Sequence, residues 1–313
     1  MLGIDTAGVR RHLSLWRSTY IPWRDAKVRQ RYPAGHFHSP IPDLRDIASR
    51  RSEIFDRSSG PLDVDLHEAL QWDTLEKIGV ALEGFRWDEF GVKGGRYKFK
   101  QPMFGPGEAM VFAGLLLAER PRRIVEVGSG WSTALALDVR DAALPELEVT
   151  CIEPFPERLL NLTGSPGESG IRLIEQRLEL VDDAAFKSIG PGDILFIDSS
   201  HVGKIGSDVL RILFHVLPQL PDGTLIHFHD VPWPFEYWED WVFDGWAWNE
   251  AYYLQAFLTH NSRYGIYLWP HMLSCRDDTR YRRAVPQVHG DPGGSIWIRK
   301  SGTSATQASS YPG

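Results

Sequence analysis

From residue 122 onward, short β-rich runs alternate with helical stretches, and this alternation constrains the fold more than any other feature. The predicted strands of this region are residues 124–127, 149–152, 172–174, 194–197 and 224–228. The clearest predicted helices are residues 132–143 and 208–217. Strands and helices in this order favour an α/β fold, with a doubly wound, mostly parallel sheet covered by helices on both faces. Two later runs, 264–269 and 295–299, predict an antiparallel edge and a sheet of seven strands in all.

The region before this alternation has a different character. Residues 1–103 are expected to form an N-terminal extension that is partly helical, near 66–83, and partly irregular. Prolines recur in the stretch HFHSPIPD at residues 36–43 and exclude a helix there.

A strongly helical run over residues 108–119, stopped by Pro121, belongs to the predicted main domain. That domain covers residues 104–300, and the small polar residues 301–313 are expected to form a disordered tail.

Composition excludes several classes of protein. The net charge of −7 argues against a nucleic-acid binder, and a basic arm over residues 10–31, with interleaved aromatics, is interpreted as a solvated face. No apolar run reaches the roughly 18 residues that a membrane helix needs. The N-terminus lacks the apolar core of a signal peptide, so a cytoplasmic protein is expected. The two cysteines suggest neither a disulfide framework nor a zinc site, and Cys151 is expected to be a buried apolar residue.

Residues capable of chemistry follow the predicted strands. They are Gly128 to Gly130, Glu153, Asp198, and His229 with Asp230. In an open parallel sheet, ligands bind outside the carboxyl ends of the strands. We therefore expect these residues to form one site.

The glycine turn at residues 128–130 follows a strand and opens a helix. Two details favour S-adenosylmethionine over a dinucleotide. Thr133 replaces the third glycine of a dinucleotide motif, and Glu126 places a negative charge under the turn, which suits an ammonium and sulfonium ligand better than a pyrophosphate. Glu153, where a carboxylate can bind ribose hydroxyls, does not discriminate between the two.

Four segments in order, EVGSGWST, CIEPFPE, DILFIDSSH and LIHFHD, resemble the motifs of class I S-adenosylmethionine-dependent methyltransferases. More narrowly, residues 104–300 resemble bacterial methyltransferases that tailor sugars and natural products. The resemblance implies that S-adenosylmethionine is the cofactor and that it is bound by Glu126, Gly128, Ser129, Gly130, Ser132, Glu153, Gln176 and Asp198. Among these, Glu153 would bind the ribose and Gln176 would lie beside the adenine.

Two forms of catalysis stay open. Related enzymes bind Mg²⁺ after strands four and five, which here implies Asp198, His229 and Asp230 as metal ligands. The imidazole of His229 departs from the preference of Mg²⁺, so another divalent metal, or none, is equally consistent. Without a metal, His201 or His229 would act as general base. The structural alternative is that Asp198 caps a turn, that His201 bonds to backbone, and that one of His227 and His229, which share a face of strand five, belongs to the core.

An aromatic segment, residues 233–248, follows the fifth strand and contains five tryptophans. It suits a flat or sugar-like substrate, a cation, a dimer interface that would make a homo-oligomer, or an apolar lid. Asn249-Glu250 and the HFHSPIPD stretch also resemble segments of the same relatives. The HFHSPIPD stretch is expected to help close over the substrate.

The expected activity is O-methylation of a hydroxyl on a small-molecule sugar, glycoside or natural product. Two alternatives are an NAD-linked oxidoreductase and a catalytically inactive binding protein with the same fold. The first is disfavoured by Thr133 and Glu126, and the second predicts ligand binding without methylation of any acceptor.

Overall fold

The computed structural model describes residues 31–85, 95–288 and 290–301. Contacts divide the chain into two compact units, Met1–Ser49 and Arg50–Gly313. The predicted basic arm lies outside the described residues except for Arg31, and the predicted tail lies outside them except for Ser301. Residues 50–103, which the sequence analysis assigns to the N-terminal extension, fall in the second unit.

The described part of the first unit consists of turns followed by helix α1 (Leu44–Ser49). The amide of Gly35 donates to the carbonyl of Ile41 at 3.0 Å, which closes the proline-containing stretch into a loop. The rings of Tyr32 and His36 stack at 4.4 Å. The stretch is neither helix nor strand, as its prolines predict.

In the second unit, the helices before the sheet are α2 (Arg51–Ile54), α3 (Glu68–Leu82) and α4 (Pro106–Glu119). Those between the parallel strands are α5 (Trp131–Ala143), α6 (Glu157–Thr163), α7 (Pro166–Ser169), α8 (Asp208–Arg211) and α9 (Leu217–Gln219). Those beyond them are α10 (Glu239–Phe243), α11 (Glu250–Leu258), α12 (Pro270–Arg276) and α13 (Asp278–Ala284). A π-helical turn, Ile212–Val216, joins α8 to α9, and Leu178–Leu180 and Asp183–Ala185 are short 3₁₀ turns.

Within the described residues, seven strands form one sheet. They are β1 (Arg123–Val127), β2 (Glu148–Ile152), β3 (Arg172–Ile174), β4 (Ile194–Ile197), β5 (Leu225–Phe228), β6 (Tyr264–Leu268) and β7 (Ile296–Lys300). Their order is β3-β2-β1-β4-β5-β7-β6, with β7 antiparallel to both neighbours and all other pairs parallel. The order reverses between β1 and β4, which is the switch point where ligands bind in such sheets. The predicted sheet is confirmed.

The central strands are buried on both faces, which explains their clear sequence signal. Every residue of β4 and β5 is buried, because helices cover the parallel sheet on both sides. Two polar side chains interrupt this core, Glu126 on β1 and His227 on β5. Each predicted strand is present, and the observed ends differ from the predicted ends by at most one residue.

Helices α3 and α4 pack against each other, and α3 also packs on β6. The predicted helix ending before Pro121 is confirmed: α4 ends at Glu119, and Arg120 takes a left-handed conformation (φ +49°). Among the described residues, none of the helices is both long and apolar enough to span a bilayer.

Candidate active site

The glycine turn lies between β1 and α5, at the carboxyl edge of the sheet. Gly128 has a φ of +75°, a conformation that L side chains rarely adopt. A Cβ atom on Gly128 would lie 1.8 Å from the carbonyl oxygen of Asp198, at the end of β4. The turn therefore brings the start of α5, with its free amide groups, next to the end of β4.

Glu126 lies beneath this turn with both carboxylate oxygens engaged. Oε1 accepts the hydroxyl of Ser132, and Oε2 accepts the hydroxyl of Thr133. Thr133 Oγ1 in turn accepts the amide of Gly130 at 3.1 Å. Burial raises the pKa of Glu126 to about 7, although the two hydroxyl hydrogen bonds oppose the shift. Glu126 thus ties the turn to the first residues of α5, and its direct contact with a cofactor stays a prediction.

Glu153 follows β2 and holds the other side of the turn. Its Oε2 accepts the amide of Ser129 at 3.1 Å, and its Oε1 accepts the amide of Phe155 at 2.8 Å. Burial raises the pKa of this carboxyl group, against the effect of those two amides. The hydroxyl of Ser129 is buried and has no hydrogen-bond partner. A glycine cradle, a half-buried carboxylate and an unpaired hydroxyl fit the predicted S-adenosylmethionine site.

Gln176, the predicted adenine neighbour, follows β3 and has an exposed side chain. Its backbone amide donates to Ile174 at 2.9 Å, which makes a tight turn at the end of the strand. It lies at the same edge of the sheet as Glu153, and its role at the adenine stays a prediction.

The four predicted catalytic residues, Asp198, His201, His229 and Asp230, come together at the ends of β4 and β5. We call them the acceptor-side residues. His201 Nε2 lies 3.2 Å from Asp198 Oδ1 and 3.7 Å from Asp230 Oδ2. His229 Nδ1 lies 3.6 Å from Asp198 Oδ1 and 3.2 Å from Asp230 Oδ1. Two carboxylates thus stand between two imidazoles, directly beside the glycine turn.

Each imidazole has a buried glutamate on its far side. Glu250, the first residue of α11, lies 2.9 Å through Oε2 from His201 Nδ1. Glu108, in the first turn of α4, lies 3.3 Å through Oε2 from His229 Nε2. Glu108 Oε1 also accepts the amide of Gly294 at 3.0 Å. The role of Glu108 was missed by sequence reasoning, since an acid in the first turn of a helix is ordinary and carries no further signal.

These carboxylates control the charge of the cluster. Burial opposes protonation of His201, but the hydrogen bonds to Asp198 and Glu250 raise its pKa to about 10. Burial likewise opposes protonation of His229, yet the carboxylates of Asp230, Glu108 and Asp198 hold its pKa well above the usual range. The two imidazoles in turn hold the pKa of Asp198 well below its usual range, against the desolvation of the carboxylate.

The cluster also offers ligand atoms for a metal ion. One atom each from Asp198, His201 and Asp230 lies within 4.8 Å of the other two. The predicted set had His229 in place of His201, and His229 Nδ1 is within 3.6 Å of the same two carboxylates. Nδ1 of His229 is buried and makes no hydrogen bond of acceptable geometry. Both histidines are therefore placed to serve as a nitrogen ligand.

Of the two histidines that share a face of β5, His227 is the one that belongs to the core. Its ring stacks on Phe196 at 3.8 Å and lies 4.6 Å from Trp297. Burial lowers its pKa well below the usual range, so the ring is neutral. Cys151 is likewise buried and free, as expected.

The aromatic segment divides into a buried part and a half-exposed rim. Trp233, Phe235 and Tyr237 are buried. The rim consists of Trp241, Trp246 and Trp248, whose rings contact one another at 4.5 to 5.9 Å.

The rim reaches the acceptor-side residues through Trp248, whose ring lies 4.3 Å from that of His201. An apolar, ring-lined surface thus adjoins the acidic cluster.

A family described as a methyltransferase domain matches residues 125–231. An uncharacterized protein of Archaeoglobus fulgidus is 32% identical over 171 residues, which are 53% of this chain and 76% of that protein.

Two solved structures are similar in outline. For an S-adenosylhomocysteine-bound methyltransferase of Podospora anserina, the TM-score is 0.42 at 16% identity, over 84% of this chain and 99% of that one. For an O-methyltransferase of tomaymycin synthesis from Streptomyces achromogenes, in complex with S-adenosylmethionine, the TM-score is 0.41 at 12% identity, over 83% and 97%.

The matched family segment begins within β1 and ends just after Asp230. It therefore contains the glycine turn, Glu153 and Asp198, which the geometry joins into one site. The strand order and the position of the glycine turn at the switch point are those of the fold that the sequence motifs predict. This chain belongs to the class I S-adenosylmethionine-dependent methyltransferases.

Proposed function

We propose that this methyltransferase acts on a hydroxyl group of a small-molecule sugar, glycoside or natural product. The observation that carries the proposal is the convergence of Asp198, Asp230, His201 and His229 beside the glycine turn. Carboxylates and imidazoles at this point suit the deprotonation of a hydroxyl, which must lose its proton when oxygen is methylated. Membership of the methyltransferases removes the oxidoreductase alternative.

The cofactor residues are proposed as Gly128, Ser129, Gly130 and Glu153, with Glu126 and Ser132 supporting the turn from below. When bound, S-adenosylmethionine supplies an electrophilic methyl group on a sulfonium. The work of these residues is to hold that methyl group in line with the acceptor oxygen, and such positioning alone accounts for a large share of the rate of a displacement.

The charge of the cluster favours a divalent cation. Four carboxylates face the two imidazoles: Glu108, Asp198, Asp230 and Glu250. With both rings protonated, four negative charges still face only two positive ones. A divalent cation would compensate this excess, and we propose that Asp198 and Asp230 hold it together with His229, because Nδ1 of His229 makes no hydrogen bond and lies within 3.6 Å of both carboxylates. When bound there, the cation would lower the pKa of an acceptor hydroxyl.

His201 is the proposed general base. Its Nε2 faces the carboxylates while its ring contacts Trp248, so it stands between the acidic cluster and the aromatic rim. Its high pKa reflects the carboxylates around it, and compensating Asp198 and Asp230 would lower that pKa toward neutrality. A route without any cation is disfavoured, since both imidazoles then retain their protons at neutral pH.

The acceptor class rests on the aromatic rim. Trp246 is 39% exposed and lies beside Trp241 and Trp248. Sugar rings and planar natural products pack their C–H or π faces on such side chains.

Calorimetry and methyl transfer test the proposal together. S-adenosylmethionine is titrated into wild type and Asp198→Asn, and labelled methyl transfer to a panel of sugars, glycosides and phenolic natural products is then measured. We expect both proteins to bind the cofactor, and transfer to fall at least about 100-fold in the variant. EDTA should stop transfer, and Mg²⁺ or Mn²⁺ should restore it.

Other outcomes would contradict parts of the proposal. Methyl transfer that persists in EDTA would exclude the cation, and His201 or His229 would then act as general base without a metal. Cofactor binding without methylation of any acceptor would favour the inactive binding protein. Methylation of amines alone would exclude the hydroxyl.

A further inference from the structure

Glu250 is a buried carboxylate outside the set of groups that face the acceptor. It is 1% exposed, and its two oxygens have separate partners. Oε2 lies 2.9 Å from His201 Nδ1, and Oε1 accepts the hydroxyl of Ser199 at 3.3 Å. A charge this deeply buried is costly unless it is paired and hydrogen-bonded. The contacts with His201 and Ser199, and the position of Glu250 at the first residue of α11, offset this cost of desolvation.

Residues 248–250 also form hydrogen bonds with the backbone around His201. The amides of Asn249 and Glu250 both donate to the His201 carbonyl, at 3.0 and 3.1 Å. The Asn249 side chain accepts the amide of Gly203 at 2.6 Å and donates to its carbonyl at 3.3 Å. Trp248 packs its ring on the imidazole at 4.3 Å. Three consecutive residues, Trp248 to Glu250, thus hold the ring and the carbonyl of His201 and the backbone of Gly203, two residues further on.

These contacts stabilise a backbone conformation of His201 that is unfavourable by itself. Its φ of +57° lies in the left-handed region, which is unfavourable for a residue with a Cβ atom. The two backbone amides and the Glu250 carboxylate fix both the strained backbone and the ring. The imidazole is therefore aimed before any ligand binds, which is the condition for a base that must meet a hydroxyl at one place.

The two ring nitrogens of His201 face different carboxylates. Glu250 accepts a proton from Nδ1, because a carboxylate accepts and the distance is 2.9 Å. Nε2 is then the nitrogen that points at Asp198 and Asp230. His229 has the opposite arrangement, since Glu108 faces its Nε2 and leaves Nδ1 toward the same carboxylates.

We propose that Glu250 is a positioning residue: through the Nδ1–H bond it fixes the tautomer and ring orientation of His201, so that Nε2 faces the acceptor hydroxyl. The proposal rests on the proposed role of His201 as base. In this proposal Glu250 acts through His201, and Asn249 and Trp248 stabilise the same residue.

The test is proton and nitrogen NMR of the full chain labelled with ¹⁵N-histidine, in the presence of S-adenosylhomocysteine. A hydrogen bond from imidazole to a buried carboxylate gives a low-field N–H proton resonance. We expect one such resonance on an Nδ1 nitrogen, absent from His201→Asn and shifted upfield or lost in Glu250→Gln, where the bond loses its charge assistance. Glu108→Gln is the matched control, because it alters the other buried glutamate–histidine pair and should leave this resonance in place.

Activity provides the second readout, with the best acceptor from the methylation panel. Glu250→Gln should lower kcat at least about tenfold, as loss of the partner that orients a histidine does elsewhere, while the Kd for S-adenosylhomocysteine changes less than about twofold. If Glu250→Gln does not fold, Ser199→Ala removes the hydrogen bond at the other oxygen, together with the 3.5 Å contact from the His201 amide to Ser199 Oγ, and should produce a smaller shift of the same resonance.

The outcomes separate this inference from the proposed function. A low-field Nδ1 resonance of His201 that is unchanged in Glu250→Gln, or the absence of any such resonance on Nδ1 of His201, overturns the positioning role even if methyl transfer is found. If no hydroxyl is ever methylated but the Nδ1 resonance behaves as expected, the geometry stands and the proposed function fails.

Discussion

Gly128 lies directly against the backbone of Asp198. A Cβ atom on Gly128 would lie 1.8 Å from the Asp198 carbonyl oxygen, and the Asp198 amide donates to Val127 at 2.9 Å. The cofactor turn and the backbone of Asp198 are therefore one packed unit, and a side chain added at Gly128 would displace the end of β4.

Gly128→Ala should accordingly damage both stability and cofactor binding. The left-handed φ of +75° and the backbone clash together should lower the free energy of unfolding by at least about 2 kcal/mol. Urea unfolding measures that loss, and calorimetry should detect no binding of S-adenosylhomocysteine. Gly167→Ala, where an added Cβ meets nothing within 4 Å, is the control and should be neutral or slightly stabilising. Wild-type stability in Gly128→Ala would contradict the packing described.

Glu153→Ala should weaken cofactor binding by at least about tenfold, because the predicted ribose contact and the hydrogen bond to the Ser129 amide are both lost. Titration calorimetry with S-adenosylmethionine measures the change. Glu148→Ala is the matched control, since Glu148 lies at the opposite end of the same strand and pairs with Arg123. Equal affinities in the two variants would place the ribose elsewhere.

The sequence predicts the sheet and the residues that follow each strand because both depend on local patterns. Parallel strands buried on both faces read as unbroken apolar runs, and their carboxyl ends meet at one edge. Asp198 and His229 were therefore expected beside the glycine turn, and the structure places them there.

The partners behind the histidines could not be predicted in the same way. Glu108 is 121 residues from His229, and Glu250 is 49 residues from His201. Each lies in the first turn of a helix, where acids are common for reasons of the helix dipole alone. In the aromatic segment no periodicity distinguishes Trp233, which is 1% exposed, from Trp246, which is 39% exposed.

Glu126 should make stability depend on pH. Burial raises its pKa in the native protein to about 7, whereas an unfolded glutamate titrates near about 4.3. Between these two pH values the native state binds the proton more tightly than the unfolded state does. The contribution of Glu126 to the free energy of unfolding is therefore fully present below about pH 4 and is lost as the pH rises through 7. The loss is on the order of 3 kcal/mol.

Glu126→Gln isolates this contribution. The glutamine oxygen can accept the Thr133 hydroxyl, and its amide can donate to the Ser132 oxygen, so the neutral hydrogen bonds survive. We expect the variant to gain stability relative to wild type between pH 5 and pH 8 by roughly the amount above. Urea unfolding at the two pH values gives this difference directly, and a difference that does not change with pH would mean that Glu126 is ionised throughout.

Trp246→Ala should separate acceptor binding from folding. Because the ring is 39% exposed, its removal should change the free energy of unfolding by less than about 1 kcal/mol. Trp233→Ala removes a ring that is 1% exposed and packs against Trp269, so it should lower the free energy of unfolding by about 3 to 5 kcal/mol. If the rim binds the acceptor, Trp246→Ala raises the acceptor KM at least about fivefold and leaves the Kd for S-adenosylmethionine unchanged. An unchanged KM would reduce the rim to a cover over the sheet edge and would move the search for the acceptor surface to the other walls of the site.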